Sequence, residues 1–307
     1  MSLWDGLNLP AKDELSLKMI ETDSDFIWSA AKNCEGHIGF VIELNSTDHD
    51  TSTFEKTKEL EVDIKIYSAQ AMLSVFFINN EAQRPLEELL NDLINKTNHI
   101  KNEFELINHL KARYNAWCLL FKPGRKKLKE NEILGLAAEL LFAETWTQNL
   151  DESIEGWVGP LKKHQDFISM KNKLAYEIKL GNWDPESVKI SSIEQLDFDG
   201  SLSLVVFPGK ISDKNEKSAK SLPILIEELK KLLSKEEVFV LENRLMAAGF
   251  DEKECQDIFF EIGRPMIFEI SEDFPKLIRN IVPNAISKCS YTLVLSDLDS
   301  YKVDLTN

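Results

Sequence analysis

The chain has 307 residues, 43% of them hydrophobic and 29% charged, with a formal net charge of −16. This describes an ordinary soluble protein of two domains, or of one large domain with an appendage. Taken whole, the acidity argues against casual nucleic-acid binding.

The charge is unevenly spread. Residues 1–121 carry 11 basic and 20 acidic side chains and 191–307 carry 14 and 21, whereas 122–190 carry 11 of each. The central segment is therefore neutral between acidic flanks. Within it, residues 122–129 (KPGRKKLK) hold five basic residues in eight, which slightly favours a phosphate-facing surface over a solvated loop. The first fifteen residues lack an apolar signal core, and the longest apolar run, 133–143, is too short and interrupted to cross a bilayer. Cys34, Cys118, Cys255 and Cys289 have no CxxC spacing and read as reduced thiols. A cytoplasmic protein without membrane contact is expected.

Residues 1–25 say little. From Phe26 four strand-like segments follow (FIWSA, HIGFVIEL, ELEVDIKIYS, AMLSVFFIN), whose alternation predicts an antiparallel sheet. Pro85 opens a helix with Leu86, Leu89, Leu90 and Leu93 on one face. Another helix is expected over 103–114, with 116–121 its continuation or a buried strand. Asp63-Ile64-Lys65, with Asp48 and Asp50 upstream, is an acid-x-lysine triplet on a strand. Such triplets arise by chance in a chain this rich in charge, and no helix carrying a buried acid precedes this one.

Pro123-Gly124 marks a boundary, and Lys129 to Trp146 reads as a helix. Glu139 is the only polar residue of its apolar run 133–143. A buried carboxylate needs a cation or a proton; the alternative is that Glu139 sits at the stripe's edge and reaches water. His164 to Lys179 then forms two short strands, roughly 164–169 and 174–180, about Lys171-Asn172. A tight turn there pairs Met170 with Lys173, sets Asp166 opposite Glu177 and Lys179 opposite His164, and points Asp166, Glu177 and Lys179 from one face. Two carboxylates so placed repel unless a cation lies between them, and Mg²⁺ suits such oxygen ligands. Two acids, a lysine and a metal on one sheet face suit phosphodiester hydrolysis.

Residues 182–187 read as a loop and KISSIEQLD as the start of a helix, in which Ser192 and Gln195 fit a capping box. Gln195 could instead touch a phosphate or water. Residues 201–207 are a buried strand; 222–235 and 236–248 are amphipathic helices; a third apolar-periodic segment, 252–262, makes a helix-turn-helix outline too acidic to read DNA. PMIFEI, SYTLVLS and YKVDL read as strands of a small carboxy-terminal unit.

The order helix with Glu139, strand with Asp166, strand with Glu177-Ile178-Lys179, helix with Gln195 and strand 201–207 resembles the PD-(D/E)XK nuclease superfamily. More narrowly, EL-LF…W-GP…DF…YEIKLG…KISSIEQL resembles a bacterial family of that superfamily with unknown function, often encoded beside restriction and phage-defence genes. The motif proline is absent: Gln165 precedes Asp166. The resemblance implies a restriction-endonuclease-like αβββαβ core over 122–210, flanked by an α+β domain (1–121) and a helical and mixed α+β region (211–307). It implies Mg²⁺ (or Mn²⁺) held by Asp166, Glu177 and the Ile178 carbonyl, with Glu139 holding an outer water or a second ion. Lys179 would position or deprotonate the attacking water, and Gln195 would orient substrate or water. His164 is a candidate supporting group, although a lone histidine of this kind is most often structural. The implied substrate is DNA, with a homodimer or a defence-system partner as the implied company. A catalytically silent binding module is the alternative. A small-molecule enzyme finds no P-loop, dinucleotide fingerprint, G-x-S-x-G or H-E-x-x-H to support it.

Overall fold

A computed structural model of the chain describes residues 2–49, 54–55, 57–78, 83–120 and 127–304. It divides into two compact units, Met1–Pro123 and Gly124–Asn307.

The first unit is an antiparallel sheet backed by two helices. Its strands are β1 (Ser16–Ile20), β2 (Trp28–Lys32), β3 (Ile38–Leu44), β4 (Leu60–Tyr67) and β5 (Gln70–Phe77), in the order β1-β2-β3-β5-β4. Alternation places Trp28, Ala30, Phe40, Ile42, Leu73 and Val75 on one face. Helix α1 (Gln83–Thr97) covers it with Leu86, Leu89, Leu90 and Leu93, and α2 (Glu103–Leu120) with Leu106, Ile107 and Leu110. Residues 116–120 therefore continue the helix. The strand β1 had no sequence signature: it is an edge strand on which no residue is fully buried, so no alternation betrays it.

The second unit is a mixed sheet covered on both faces. Its first element, α3 (Glu130–Gln148), is apolar on nearly every side, as a helix buried in a core must be. Then come β6 (Phe167–Ser169), β7 (Leu174–Gly181), β8 (Ser187–Ile190) and β9 (Ser201–Ser212). Strands β6 and β7 are antiparallel with Phe167 opposite Tyr176, Ile168 opposite Ala175 and Ser169 opposite Leu174. This is the register counted from a turn centred on Lys171-Asn172. Strand β7 runs parallel to β9, with Glu177 beside Leu204 and Lys179 beside Val206. The chain continues through α4 (Leu222–Lys230), α5 (Lys235–Ala248), α6 (Glu252–Cys255), β10 (Phe259–Ile262), β11 (Met266–Glu269), β12 (Tyr291–Val294) and β13 (Lys302–Val303).

Three expectations change here. The segment 252–262 is a four-residue helix followed by a strand, so the helix-turn-helix outline does not exist. Residues after 211 form no separate layer: β10 and β11 both pair with β9, and β13 pairs with β11, so one sheet runs through both expected regions. KISSIEQLD is not an α-helix but the end of β8 and a 3₁₀ turn, Ile193–Leu196; β8 pairs with β12. Ahead of β6, Trp157 forms a single antiparallel bridge with Phe167.

The two faces of β7 define where the site can lie. Tyr176 and Ile178 face the core under α3, α4 and α5; Ala175 faces a second core with Ile190, Leu196, Leu204 and Val206. Glu177 and Lys179 share that second face by alternation.

Candidate active site

Strand β6 stops pairing at Phe167, and what replaces the next rung is a side chain. The Asp166 carboxylate accepts a hydrogen bond from the Ile178 N–H at 2.7 Å. In a strand the N–H and C=O of one residue point to the same side, so the Ile178 carbonyl faces the same open edge as Asp166. Asp166 itself is anchored by its main chain: its N–H donates to the Tyr176 carbonyl at 3.1 Å, and its carbonyl accepts from Val158 and Gly159.

Glu177 is 1% exposed and ion-paired with Lys179, Nζ to Oε1 at 2.6 Å, yet neither of its oxygens has a donor in hydrogen-bonding alignment. Lys179 Nζ also donates to Gln195 Oε1 at 3.2 Å, and that oxygen accepts from the Ser191 N–H at 2.7 Å. Gln195 is therefore a brace for Lys179. Ser192 makes no side-chain cap, so the capping role weighed from sequence is not the one it plays.

Glu139 enters from α3. Its Oε2 accepts from the Trp157 indole N–H at 2.7 Å, and Trp157 is wholly buried, stacked against Phe167. Gly159 shows how tightly the acids converge. A Cβ there would stand 2.7 Å from Asp166 Oδ1 and 3.1 Å from Glu139 Oε2. Only glycine leaves both carboxylates in place.

The electrostatics follow from this crowding. Burial pushes the Glu139 carboxyl well above its ordinary range, and the charge of Asp166 adds to that; the Trp157 N–H and Lys179 oppose it. Burial raises Asp166, against the Ile178 N–H and Lys179. Glu177 is raised by burial and then by Asp166, more than Lys179 can offset. One ammonium thus faces three acids.

The donor set fits a hard divalent cation. Glu177 is a buried carboxylate lacking aligned donors, and Asp166 and the Ile178 carbonyl border the same open edge. Among the described residues no three His, Cys, Asp or Glu side chains form a ready-made cluster for one ion. An ion would accordingly take at most two of these carboxylates and complete its shell with a carbonyl and water, as Mg²⁺ commonly does.

Of the sequence candidates, Glu177, Lys179 and Gln195 are joined by direct contacts, Asp166 is tied to the same strand at the Ile178 N–H, and Glu139 and Asp166 both approach Gly159. The counted pairing of His164 with Lys179 is not formed, because the ladder ends at Phe167. His164 instead lies near enough to Glu194 to lower its carboxyl, behind stronger hydrogen bonds within the 3₁₀ turn. The triplet Asp63-Ile64-Lys65 has the same 2.6 Å acid–lysine distance, but its side chains are 35% and 55% exposed. Asp48 is on the surface, and Asp50 lies outside the described residues, as does most of the basic stretch 122–129.

Three residues to which sequence reasoning gave no role hold the site. Trp157 and Gly159 have been described. Gln165, in the place of the motif proline, is 4% exposed and its Nε2 donates to the Glu194 carbonyl at 2.7 Å, with the Gln195 and Asp197 carbonyls at 3.3 Å. It clamps the 3₁₀ turn bearing Gln195 to the residue preceding Asp166. The signal was present, a polar residue where the motif tolerates variation, but its three acceptors are about thirty residues away.

The family described as "Putative PD-(D/E)XK family member (DUF4420)" matches residues 1–296. The chain belongs to this family, within the PD-(D/E)XK superfamily. No curated protein and no solved structure matches it. The mixed α/β architecture is consistent with that fold, and membership suggests nuclease-like function, for which divalent metals are general. Among the described residues no helix is long and apolar enough to cross a membrane.

Proposed function

We propose that the chain is a divalent-metal-dependent endonuclease that hydrolyses phosphodiester bonds of DNA, with Mg²⁺ or Mn²⁺ as cofactor. The observation that carries the reading is the buried Glu177–Lys179 pair beside a carboxylate, Asp166, that closes the edge of the same strand. Asp166, Glu177 and the Ile178 carbonyl are the groups that would hold the ion. Bound there, it supplies Lewis acidity and lowers the pKa of the attacking water. Lys179, braced by Gln195, presents a fixed ammonium to the negative charge developing on the phosphoryl oxygens, where preorganised charge acts most strongly. Glu139, held by Trp157, orients water beside Asp166. Cutting both strands requires two such sites, hence a second copy or a partner.

Supercoiled plasmid incubated with Mg²⁺ or Mn²⁺ should become nicked, and the nicking should stop on adding EDTA. Intact plasmid together with no heat of metal binding in calorimetry would reject the reading. Gly159→Ala is a further check. The added methyl must push the Asp166 carboxylate aside and shift Glu139 by a few tenths of an ångström, and misplacement on the order of 1 Å costs about 10²-fold in rate. The variant should fold, as judged by circular dichroism, and nick about 10²-fold more slowly.

A further inference from the structure

Residues 274–296 contain no Asp or Glu, in a chain with 52 acids among 307 residues. They do contain Lys276, Arg279 and Lys288. The stretch is structured. Phe274 and Val282 are buried, the Leu277 N–H donates to the Tyr291 hydroxyl at 3.2 Å, and Arg279 Nη1 donates to the Ile286 carbonyl at 2.9 Å. Between these anchors it turns apolar and basic groups outward: Ile281 is 61% and Ile286 43% exposed, and Lys288 is on the surface.

Its position matters as much as its charge. Arg279 Nη2 lies 3.9 Å from Glu194 Oε1, with both side chains 37% exposed. Glu194 is the neighbour of Gln195, which braces Lys179, and its carbonyl is held by Gln165. The acid-free stretch therefore borders the candidate site through the 3₁₀ turn. A half-exposed ion pair this long contributes little, so a phosphate can replace Glu194 as the partner of Arg279 at small cost. The acids just ahead of the stretch are Glu272 and Asp273; Asp273 is occupied by the Ser271 hydroxyl.

We propose that residues 274–288 hold the backbone of duplex DNA against the site. Lys276, Arg279 and Lys288 bind phosphates, and Ile281 rests on the sugar edge between them. The proposal rests on the phosphodiesterase reading and names the surface that seats its substrate. The chain's net acidity then favours DNA at acid-free patches such as this one over its acidic surfaces.

The test is fluorescence anisotropy of a labelled duplex oligonucleotide with the full chain, in EDTA and across a sodium chloride series. Each lost phosphate contact lowers the salt slope by about 0.9. The triple variant Lys276→Ala, Arg279→Ala, Lys288→Ala should bind at least tenfold more weakly, with the slope smaller by about 2.7. A control triple of equal charge change, Lys12→Ala, Lys18→Ala, Lys101→Ala, at exposed positions of the first unit, should retain wild-type slope. Lys288→Glu alone, on the surface where folding is not at stake, should weaken binding in the same direction. Equal losses in both triples, an unchanged slope, or no duplex binding by wild type overturns the proposal. So does tighter binding to duplex RNA. Plasmid nicking by wild type is scored separately, so the nuclease reading can stand while this surface falls.

Discussion

Lys179→Ala should lower plasmid nicking by about 10²–10³-fold, the usual loss for a preorganised electrostatic group. The reasoning is local. Lys179 is the ammonium ion-paired with Glu177, and it is positioned on two sides, by Glu177 and by Gln195. Removing it leaves the developing phosphoryl charge facing acids alone. Lys179→Arg should not restore the rate, because the planar guanidinium cannot occupy the compact position between Glu177 and Gln195. Asp166→Ala should fall at least as far. It removes both a proposed ligand and the acceptor of the Ile178 N–H that sets the strand edge. Lys65→Ala is the control: the same spacing and ion-pair distance, on an exposed strand surface of the other unit, should leave nicking unchanged. Nicking that survives in both Lys179→Ala and Asp166→Ala would place the chemistry elsewhere. Gln195→Ala should lie between, since it loosens Lys179 without removing it.

How much of this was legible beforehand depended on whether the signal was local. The hairpin register could be counted because alternation on both sides of Lys171-Asn172 allows one pairing that keeps Phe167 and Tyr176 in the core. The turn holds no glycine; Lys173 adopts φ 48° and takes the left-handed position itself. Glu139 stood out as one charge in an apolar helix. Its hydrogen bond to Trp157 did not, because the W-GP motif marks that tryptophan without saying which residue eighteen positions away it contacts.

The stretch 187–196 misled in a different way. Val188 and Ile190 are buried while Ser187 and Lys189 are exposed, a strand's period, but the Ser192–Gln195 capping pattern outweighed it. The Gln195 side chain was needed elsewhere, on Lys179 and the Ser191 N–H, and a single 3₁₀ turn sufficed to aim it. Strands of four residues such as β11 and β12 were visible as strands, whereas β10 lay in a segment read as helical. Their partners were not, since pairing with β9 or β8 spans tens of residues and leaves no mark on local sequence. The separate carboxy-terminal unit expected from sequence was a consequence of that blindness.

Divalent metal should stabilise the second unit strongly, and Glu177→Leu should abolish that response while raising the stability of the metal-free protein. Without a cation, Glu177 is a carboxylate at 1% exposure whose raised pKa shows that burial and Asp166 outweigh the attraction of Lys179. Its ionised form therefore works against folding. Leucine at this position would join Ala175, Leu204 and Val206 on the same apolar face, and Lys179, 15% exposed, would keep Gln195 as partner. Exchanging a whole buried ionic pair for apolar groups of similar volume is often stabilising by about 1–4 kcal/mol, whereas stranding one partner is costly. Lys179 is not stranded, because Asp166 and Gln195 still face it, which puts the expectation at the lower end of the gain. For the wild type, a ligand at about 100 times its Kd contributes about 2.7 kcal/mol. At about 2–4 °C per kcal/mol for a unit of this size, Mn²⁺ should raise Tm by roughly 5–10 °C. Differential scanning fluorimetry of both proteins with and without Mn²⁺ reads all four values. A wild-type Tm indifferent to metal would remove the ion from the site. A Glu177→Leu protein that melts below metal-free wild type would show instead that Glu177 serves the fold through Lys179. The two signs together, gain without metal and loss of response to it, are what a carboxylate kept for binding a cation requires.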